Sequence, residues 1–415
     1  MANEQIMTYG LIGEKLSHSY SKIIHNFWGN AEYQLWEIKP EELGAFLQAA
    51  DFTGINVTIP YKEDVIPYCI LSEGADRIGS VNTIVNEHGR LYGYNTDYSG
   101  FLYMSQRANI DFRHKKVLIL GSGGTAKTVF CAVADRGAEE IIVVSRRGGD
   151  NYENLGKHYD SNILINTTPL GMYPLNDGLP VDISPFERLT DVIDVIYNPL
   201  KTRLLLQAQK KGVNFTNGLP MLVAQAWFSH KLFFHMEKGA EEDAEAIEEC
   251  LHKTEKLLRN IVLIGMPGCG KTTVGRAIGQ CLGLKFTDTD FEIERQTGRL
   301  VREIINNSGE AYFRKVEADI NSQVARETGQ VIATGGGSMM SPENREAVLQ
   351  NGFIIFLERE ITNLATDGRP LSKDFAAIEE LYKQRAPIYN GLCHAKISVS
   401  DSVEENVTGI MKLLA

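Results

Sequence analysis

Two glycine-rich stretches of this 415-residue chain carry the residue types that hold nucleotide phosphates, and they do it by different chemistry. Residues 265–273, GMPGCGKTT, match G-x-x-x-x-G-K-[ST] directly after the apolar run IVLI. In that pattern the turn built on Gly265, Gly268 and Gly270 aims backbone N–H groups at phosphates. Lys271 reaches the β and γ phosphates, and the hydroxyl of Thr272, with Thr273 beside it, holds Mg2+. ATP is the expected ligand. Residues 117–127, VLILGSGGTAK, read instead as a strand running into a GxGGxA variant of the dinucleotide fingerprint. Gly121 permits the tight turn, Gly123 lets backbone approach a pyrophosphate, Gly124 completes the run, and the following helix N-terminus offers free N–H groups. Taken alone, such a run is also compatible with an ordinary turn. Its context is the next β-rich run, IIVVSRR, which ends in Ser145, Arg146 and Arg147 where an NAD enzyme commonly places an acidic residue for the ribose diol. A 2′-phosphate suits that end, so NADP(H) is expected.

The elements that must position these loops follow an α/β rhythm. TYGLI, YQLWEI, GINVTI and NTIV alternate with helical stretches through the first hundred residues, and VLIL, IIVV, ILINTT and DVIDVIY form a second series that suits a parallel sheet covered on both faces. Residues 221–258 read as helical, with Ile247, Cys250, Leu251 and Leu258 as the inward stripe beside the acidic run KGAEEDAEAIEE. NIVLIGMPG opens a third α/β series, whose first helix carries Val274, Ala277, Ile278, Cys281 and Leu282 on its expected inner face. The main boundary is placed near residue 258.

Bulk properties narrow the classes of function. The chain has 42 basic against 53 acidic residues and no long basic stretch, which speaks against nucleic acid as a partner. No apolar run approaches the roughly 18 residues of a membrane span, and nothing at the N-terminus resembles a signal peptide. The six cysteines are scattered without CxxC spacing, so neither a zinc site nor a disulfide framework is expected, and a cytoplasmic protein is the simple reading. The oligomeric state stays open, a homo-oligomer included.

Around the first glycine loop, seven stretches occur in order: LSHSYSKIIHN, NVTIPYKED, VNTIV, YNTDYSG, NTTPLGM, YNPLKT and NGLPMLVAQA. Together they resemble shikimate dehydrogenase over residues 6–235. The resemblance implies that Ser19 and Ser21 bind the substrate carboxylate, that Thr58, Asn82, Asp97 and Gln225 bind the ring oxygens, and that Lys62 with Asp97 forms the catalytic pair. The chemistry is sound on its own terms, because a reduced ketone leaves an alkoxide that a lysine ammonium beside a carboxylate can stabilise and protonate.

After the second loop come FTDTD, GEAYFR, ATGGGS, GRPL and LYKQRAPIY, a series that resembles shikimate kinase over nearly all of 260–415. That resemblance implies Asp288 near magnesium and Asp290 at the acceptor hydroxyl, whose proton it takes. It implies Arg314 and Arg385 on the carboxylate, Gly336 and Gly337 as backbone donors, and Arg369 over the transferring phosphoryl group. Two arginines suit a carboxylate because the guanidinium fork binds it bidentately. The chain departs from the family between FIIFLE and GRPL, where a longer, basic lid segment is usual and residues 359–368 are short and nearly uncharged.

The expected architecture is α/β throughout. A split substrate domain (1–100 plus 220–257) surrounds a Rossmann-like NADP domain (101–219), and a P-loop kinase domain with a parallel sheet follows (258–415). The expected function is bifunctional: NADPH-dependent reduction of 3-dehydroshikimate to shikimate, then ATP-dependent phosphorylation to shikimate 3-phosphate. The alternative keeps the dehydrogenase and gives the second domain another small polyol acid, or only the sensing of a ligand.

Overall fold

The structure is a computed structural model and describes residues 8–16, 19–30, 32–364 and 375–414. The chain divides into two compact units, Met1–Asn198 with Thr202–Glu255, and Pro199–Lys201 with Lys256–Ala415.

The first unit holds two sheets. The first sheet comprises β1 (Tyr9–Gly13), β2 (Gln34–Glu37), β3 (Gly54–Val57), β4 (Ile70–Leu71), β5 (Thr83–Glu87) and β6 (Arg90–Tyr94), in the order β2-β1-β3-β5-β6-β4. β1 pairs in parallel with both β2 and β3, whereas β5 runs antiparallel to β3 and to β6. The β5–β6 hairpin is closed by His88 and Gly89, with φ of 53° and 83°. Positive φ at both central residues is the turn whose twist matches that of the flanking strands.

The second sheet is fully parallel: β7 (Lys116–Leu120), β8 (Glu140–Val144), β9 (Ile163–Asn166), β10 (Asp191–Asp194) and β11 (Asn214–Thr216), in the order β11-β10-β9-β7-β8. Residues Val117 to Leu120 are all fully buried because alternate side chains enter two different cores. Val117 and Ile119 pack with Phe101 and Val129 on one face, and Leu118 and Leu120 with Leu204 and Leu205 on the other. Each such side chain contributes about 1.5–3 kcal/mol on burial.

The stretch 221–258 is helical in two pieces. Leu219–Phe233 stops before His235, whose φ of 48° is left-handed, and a second helix runs Ala240–Leu258. The expected inward residues Ile247, Cys250, Leu251 and Leu258 are buried.

The second unit is built on β12 (Asn260–Ile264), β13 (Lys285–Asp288), β14 (Gln330–Ala333), β15 (Gly352–Glu358) and β16 (Ala395–Ser398), all parallel in the order β13-β14-β12-β15-β16. The helix Lys271–Leu282 after β12 turns most of its expected face inward, with Leu282 packed on the core. Val274 and Ile278 are buried as anticipated, but Cys281 is exposed, and Gly275 and Gly279 complete the inner stripe. A methyl group at Gly275 would sit 2.6 Å from the Phe286 ring, so the large residue on β13 takes the space that the helix gives up. Among the described residues no helix is long and apolar enough to cross a membrane.

Candidate active sites

In the first unit the helix Asp97–Arg107 packs on Leu219–Phe233 at a very short distance. A Cβ at Gly100 would lie 2.7 Å from the Met221 carbonyl and 2.9 Å from Gln225 Cβ, so only glycine admits the approach. That approach brings Asp97 and Gln225 to Asn82, which stands just before β5. Asn82 is 2% exposed. Its Oδ1 accepts the Thr96 N–H at 2.7 Å, and a backbone donor cannot reverse its role, so Nδ2 must face Asp97 Oδ1 at 3.0 Å and Gln225 Oε1 at 3.1 Å. The other Asp97 oxygen, Oδ2, accepts from Lys62 Nζ at 2.5 Å, with the two side chains 14% and 8% exposed. Little water screens this pair, and removing one partner of such a pair typically costs about 3–5 kcal/mol. The lysine stem lies against the nucleotide turn, where a Cβ at Gly124 would be 3.5 Å from Lys62 Cβ.

The structure places the other expected residues of this unit around that cluster without linking all of them to it. Ser19 and Ser21 pair with each other at the start of the helix Ser21–Phe27, Oγ to Oγ at 3.1 Å. Thr58 follows β3 and faces Gly13, whose added Cβ would meet Thr58 Cγ2 at 2.7 Å. Gly123 faces open space, and the helix Gly124–Asp135 has no side-chain cap, so a pyrophosphate fits there sterically and finds available N–H groups. Ser145 is half-buried at the end of β8, and Arg146 and Arg147 beyond it are exposed.

The sequence reading missed a buried polar layer behind Asn82. Thr83, Thr96 and Ser229 hydroxyls lie 2.8 to 3.2 Å from one another, and Asn56 Nδ2 donates to Ser229 Oγ at 2.8 Å. Thr83 and Thr96 adjoin Asn82 and Asp97 in sequence and carried a usable signal; Ser229, one helical turn after Gln225, carried only its spacing.

In the second unit Gly265, Gly268 and Gly270 have φ of 147°, 83° and 100°, which only glycine adopts readily. The turn they form folds back over Lys271, whose Nζ donates to the Gly265 and Met266 carbonyls at 3.0 Å each. Thr272 Oγ1 donates to Asp288 Oδ2 at 2.6 Å, and Thr273 is exposed on the next position of the helix. The hydroxyl and carboxylate side by side are the oxygen donors a hard divalent cation takes. Asp288 also caps the helix Thr289–Thr297, accepting the Asp290 N–H at 3.1 Å. Burial, then Asp288 and Glu317, push the Asp290 carboxyl up to about 6 against the opposing pull of Lys271.

Arg314, on the helix Glu310–Arg326, and Arg385, on Phe375–Leu392, converge over Gly337. An added Cβ there would be 3.0 Å from one nitrogen of Arg314 and 3.3 Å from one of Arg385. Arg385 Nη1 also donates to the Gly336 carbonyl at 2.9 Å, as does the Tyr389 hydroxyl. Glu317 was not anticipated. It is 1% exposed, accepts from Arg314 Nη1 at 2.7 Å, and shares with Asp290 the space over Gly335, where an added Cβ would lie 2.6 Å from Asp290 Oδ1 and 3.1 Å from Glu317 Oε1. Burial raises its carboxyl, partly offset by Arg314 and Arg385. Its spacing of three from Arg314 on one helix was the available signal. Arg369 and residues 365–368 of the short segment lie outside the described residues.

A parallel dinucleotide sheet beside a buried lysine–aspartate pair, and a P-loop beside a carboxylate and two arginines, define an oxidoreductase joined to a phosphotransferase. Residues 11–84 match the family model of the shikimate dehydrogenase substrate binding domain, and residues 267–415 match that of shikimate kinase. A shikimate dehydrogenase (NADP(+)) from Clostridium beijerinckii is 41% identical over 239 residues, 52% of this chain and 88% of that protein. Among solved structures, shikimate dehydrogenase 1 from Peptoclostridium difficile superposes with a TM-score of 0.55 at 37% identity, covering 59% of this chain and 97% of that one. The shikimate 5-dehydrogenase of Thermus thermophilus, in complex with NADP(H) and shikimate, gives 0.53 at 29%, covering 59% and 100%. The chain belongs to the shikimate dehydrogenase family and carries a shikimate kinase domain at its C-terminal end. Its two enzyme activities are thus an NADP-dependent dehydrogenase and an ATP-using kinase of the shikimate pathway.

Proposed function

We propose that the first unit reduces 3-dehydroshikimate to shikimate and that the second phosphorylates the hydroxyl so formed, giving shikimate 3-phosphate. The observation that carries this reading is the Lys62–Asp97 pair, buried and lying against the nucleotide turn at Gly124. When bound, NADPH supplies the hydride and ATP with Mg2+ the phosphoryl group. Ser19 and Ser21 hold the ring carboxylate, and Thr58, Asn82, Asp97 and Gln225 hold the ring oxygens. Lys62 Nζ protonates the oxygen that becomes the 3-hydroxyl while Asp97 holds it in place.

In the kinase, Arg314 and Arg385 hold the carboxylate, with Gly336 and Gly337 as backbone donors. Asp290 accepts the hydroxyl proton. Lys271 neutralises phosphate charge on the turn of Gly265, Gly268 and Gly270, Thr272 and Asp288 hold the cation, and Arg369 covers the transferring group. The domains we assign are 1–100 with 220–257 for substrate, 101–219 for NADP and 258–415 for the kinase. They accord with sheets spanning Tyr9–Tyr94, Lys116–Thr216 and Asn260–Ser398. This reading implies a cytoplasmic enzyme of small molecules. A coupled assay tests it: NADPH oxidation on addition of 3-dehydroshikimate, followed by ADP release on addition of ATP. NADPH oxidation without subsequent ADP release refutes the kinase half.

Two further results are expected. Arg146→Ala should raise the KM for NADPH roughly tenfold or more and leave that for NADH nearly unchanged, because only a 2′-phosphate loses a charged partner. Equal effects on the two cofactors would remove Arg146 from the site. The kinase kcat/KM for shikimate should fall on acidification through about 6, since the proton acceptor is the charged form of Asp290 and its burial, then its acidic neighbours, favour the neutral form. Glu317→Gln removes one of the carboxylates that raise it, so the acidic limb should move to lower pH. A profile flat from pH 5 to 7 would exclude Asp290 as the base.

A further inference from the structure

β9 and β10 lie side by side in the dinucleotide sheet, and their last residues, Asn166 and Asp194, are register partners. Both are fully buried. They stand at the carboxyl ends of parallel strands, where loops of an open α/β sheet meet ligands. Asp194 Oδ1 accepts from Asn166 Nδ2 at 3.0 Å and from the Ile196 N–H at 3.1 Å, and Oδ2 accepts from Thr202 Oγ1 at 2.6 Å. A carboxylate shut away from water with three neutral donors is costly to keep, and burial pushes it up to about 7. Its partners show what it holds.

On one side, Asn166 Oδ1 accepts both the N–H and the hydroxyl of Thr168, at 3.1 and 2.7 Å. Thr168 and Thr167 in turn pack under Gly121 of the nucleotide turn, where an added Cβ would meet Thr167 Oγ1 at 2.6 Å. On the other side, Ile196 receives the Gly218 N–H at 2.9 Å where the helix carrying Gln225 begins. Next to Ile196, the Tyr197 ring stands edge-on to Tyr20, between Ser19 and Ser21, with centroids 5.7 Å apart. A cross-tie between the two loops, Tyr173 N–H to Asn198 carbonyl at 3.0 Å, completes the connection.

We infer that Asp194 is a positioning residue of the dehydrogenase: its carboxylate ties the loop after β10, which packs on the substrate segment, to the loop after β9, which packs under the nucleotide turn. It touches neither substrate nor cofactor. It fixes the offset between them, which hydride transfer requires to be short and aligned. The role rests on the proposed dehydrogenase reaction.

Asp194→Leu keeps roughly the volume and removes every acceptor. Asn166 cannot turn its amide without losing the Thr168 N–H, and the Ile196 N–H cannot reverse its role, so both donors are left buried without their acceptor. With the full chain and 3-dehydroshikimate, kcat for NADPH oxidation should fall about tenfold, the scale of a sub-ångström misplacement, while both KM values change less than roughly threefold. The deuterium isotope effect on kcat, measured with NADPH labelled at the transferable position, should rise as hydride transfer becomes the slow step. Thr202→Val, which removes one donor to Asp194 together with the cap on the Leu205 N–H, should shift the same readouts in the same direction by less, and it decides the matter if the first variant does not fold. A kcat within twofold of wild type overturns the inference, as does a fall in kcat no larger than the fall in folded fraction read from a melting curve. A wild-type chain that leaves NADPH unoxidised overturns the reaction itself and this role with it.

Discussion

Lys62→Ala is expected to lower the kcat of NADPH oxidation by roughly 10²-fold or more, the usual scale for a positioned acid. The KM for the ketone should move far less. Asn82 and Gln225 keep their contacts in the variant, since Asn82 is oriented by the Thr96 N–H and not by the lysine. On the proposed mechanism, what disappears is the proton donor and the positive charge beside the oxygen on which negative charge develops, and both act chiefly in the transition state. The variant also leaves Asp97 without its cation, although Asn82 Nδ2 still reaches Oδ1 at 3.0 Å. Some loss of thermal stability should therefore accompany the loss of rate, and a melting curve separates the two. A kcat within a few-fold of wild type would show that the proton comes from elsewhere.

Lys271→Ala should abolish phosphoryl transfer and leave NADPH oxidation nearly intact. Lys271 is 8% exposed and its ammonium is held by the Gly265 and Met266 carbonyls, so it is already placed where phosphate oxygens compete for it. No neighbouring cation among the described residues of the loop can take over that charge, and electrostatic stabilisation is most of what catalyses this reaction class. The dehydrogenase residues belong to a different compact unit with its own cores, and sites without shared partners act almost independently. Shikimate should accumulate in the coupled reaction. Parallel loss of NADPH oxidation would mean that the two activities depend on one another, and the picture of separable enzymes would fall.

Much was legible in the order of the residues. The P-loop, the dinucleotide turn and the strands that feed them are local: a glycine at a position needing positive φ and an apolar run buried on both faces are properties of a few consecutive residues. The compact units divide at Glu255 and Lys256, close to the change from a charged helix to an apolar strand, which is equally local. Chain order also decided which side chains could serve each nucleotide. Tertiary structure alone decided who meets whom. That Gly100 lets one helix press on another until Gln225 touches Asn82 depends on residues far apart in sequence. Glu317 between Arg314 and Gly335, and Asp194 linking two loops, were ordinary acidic residues until their burial was known. Cys281 on the helix Lys271–Leu282 was misplaced for the same reason: periodicity marks an apolar stripe, but the partner's shape, here Phe286 against Gly275, selects which residues at its edge are buried. Sequence spacing sets which groups are available, and packing density sets which of them lose water, and with it their ordinary protonation and freedom to turn.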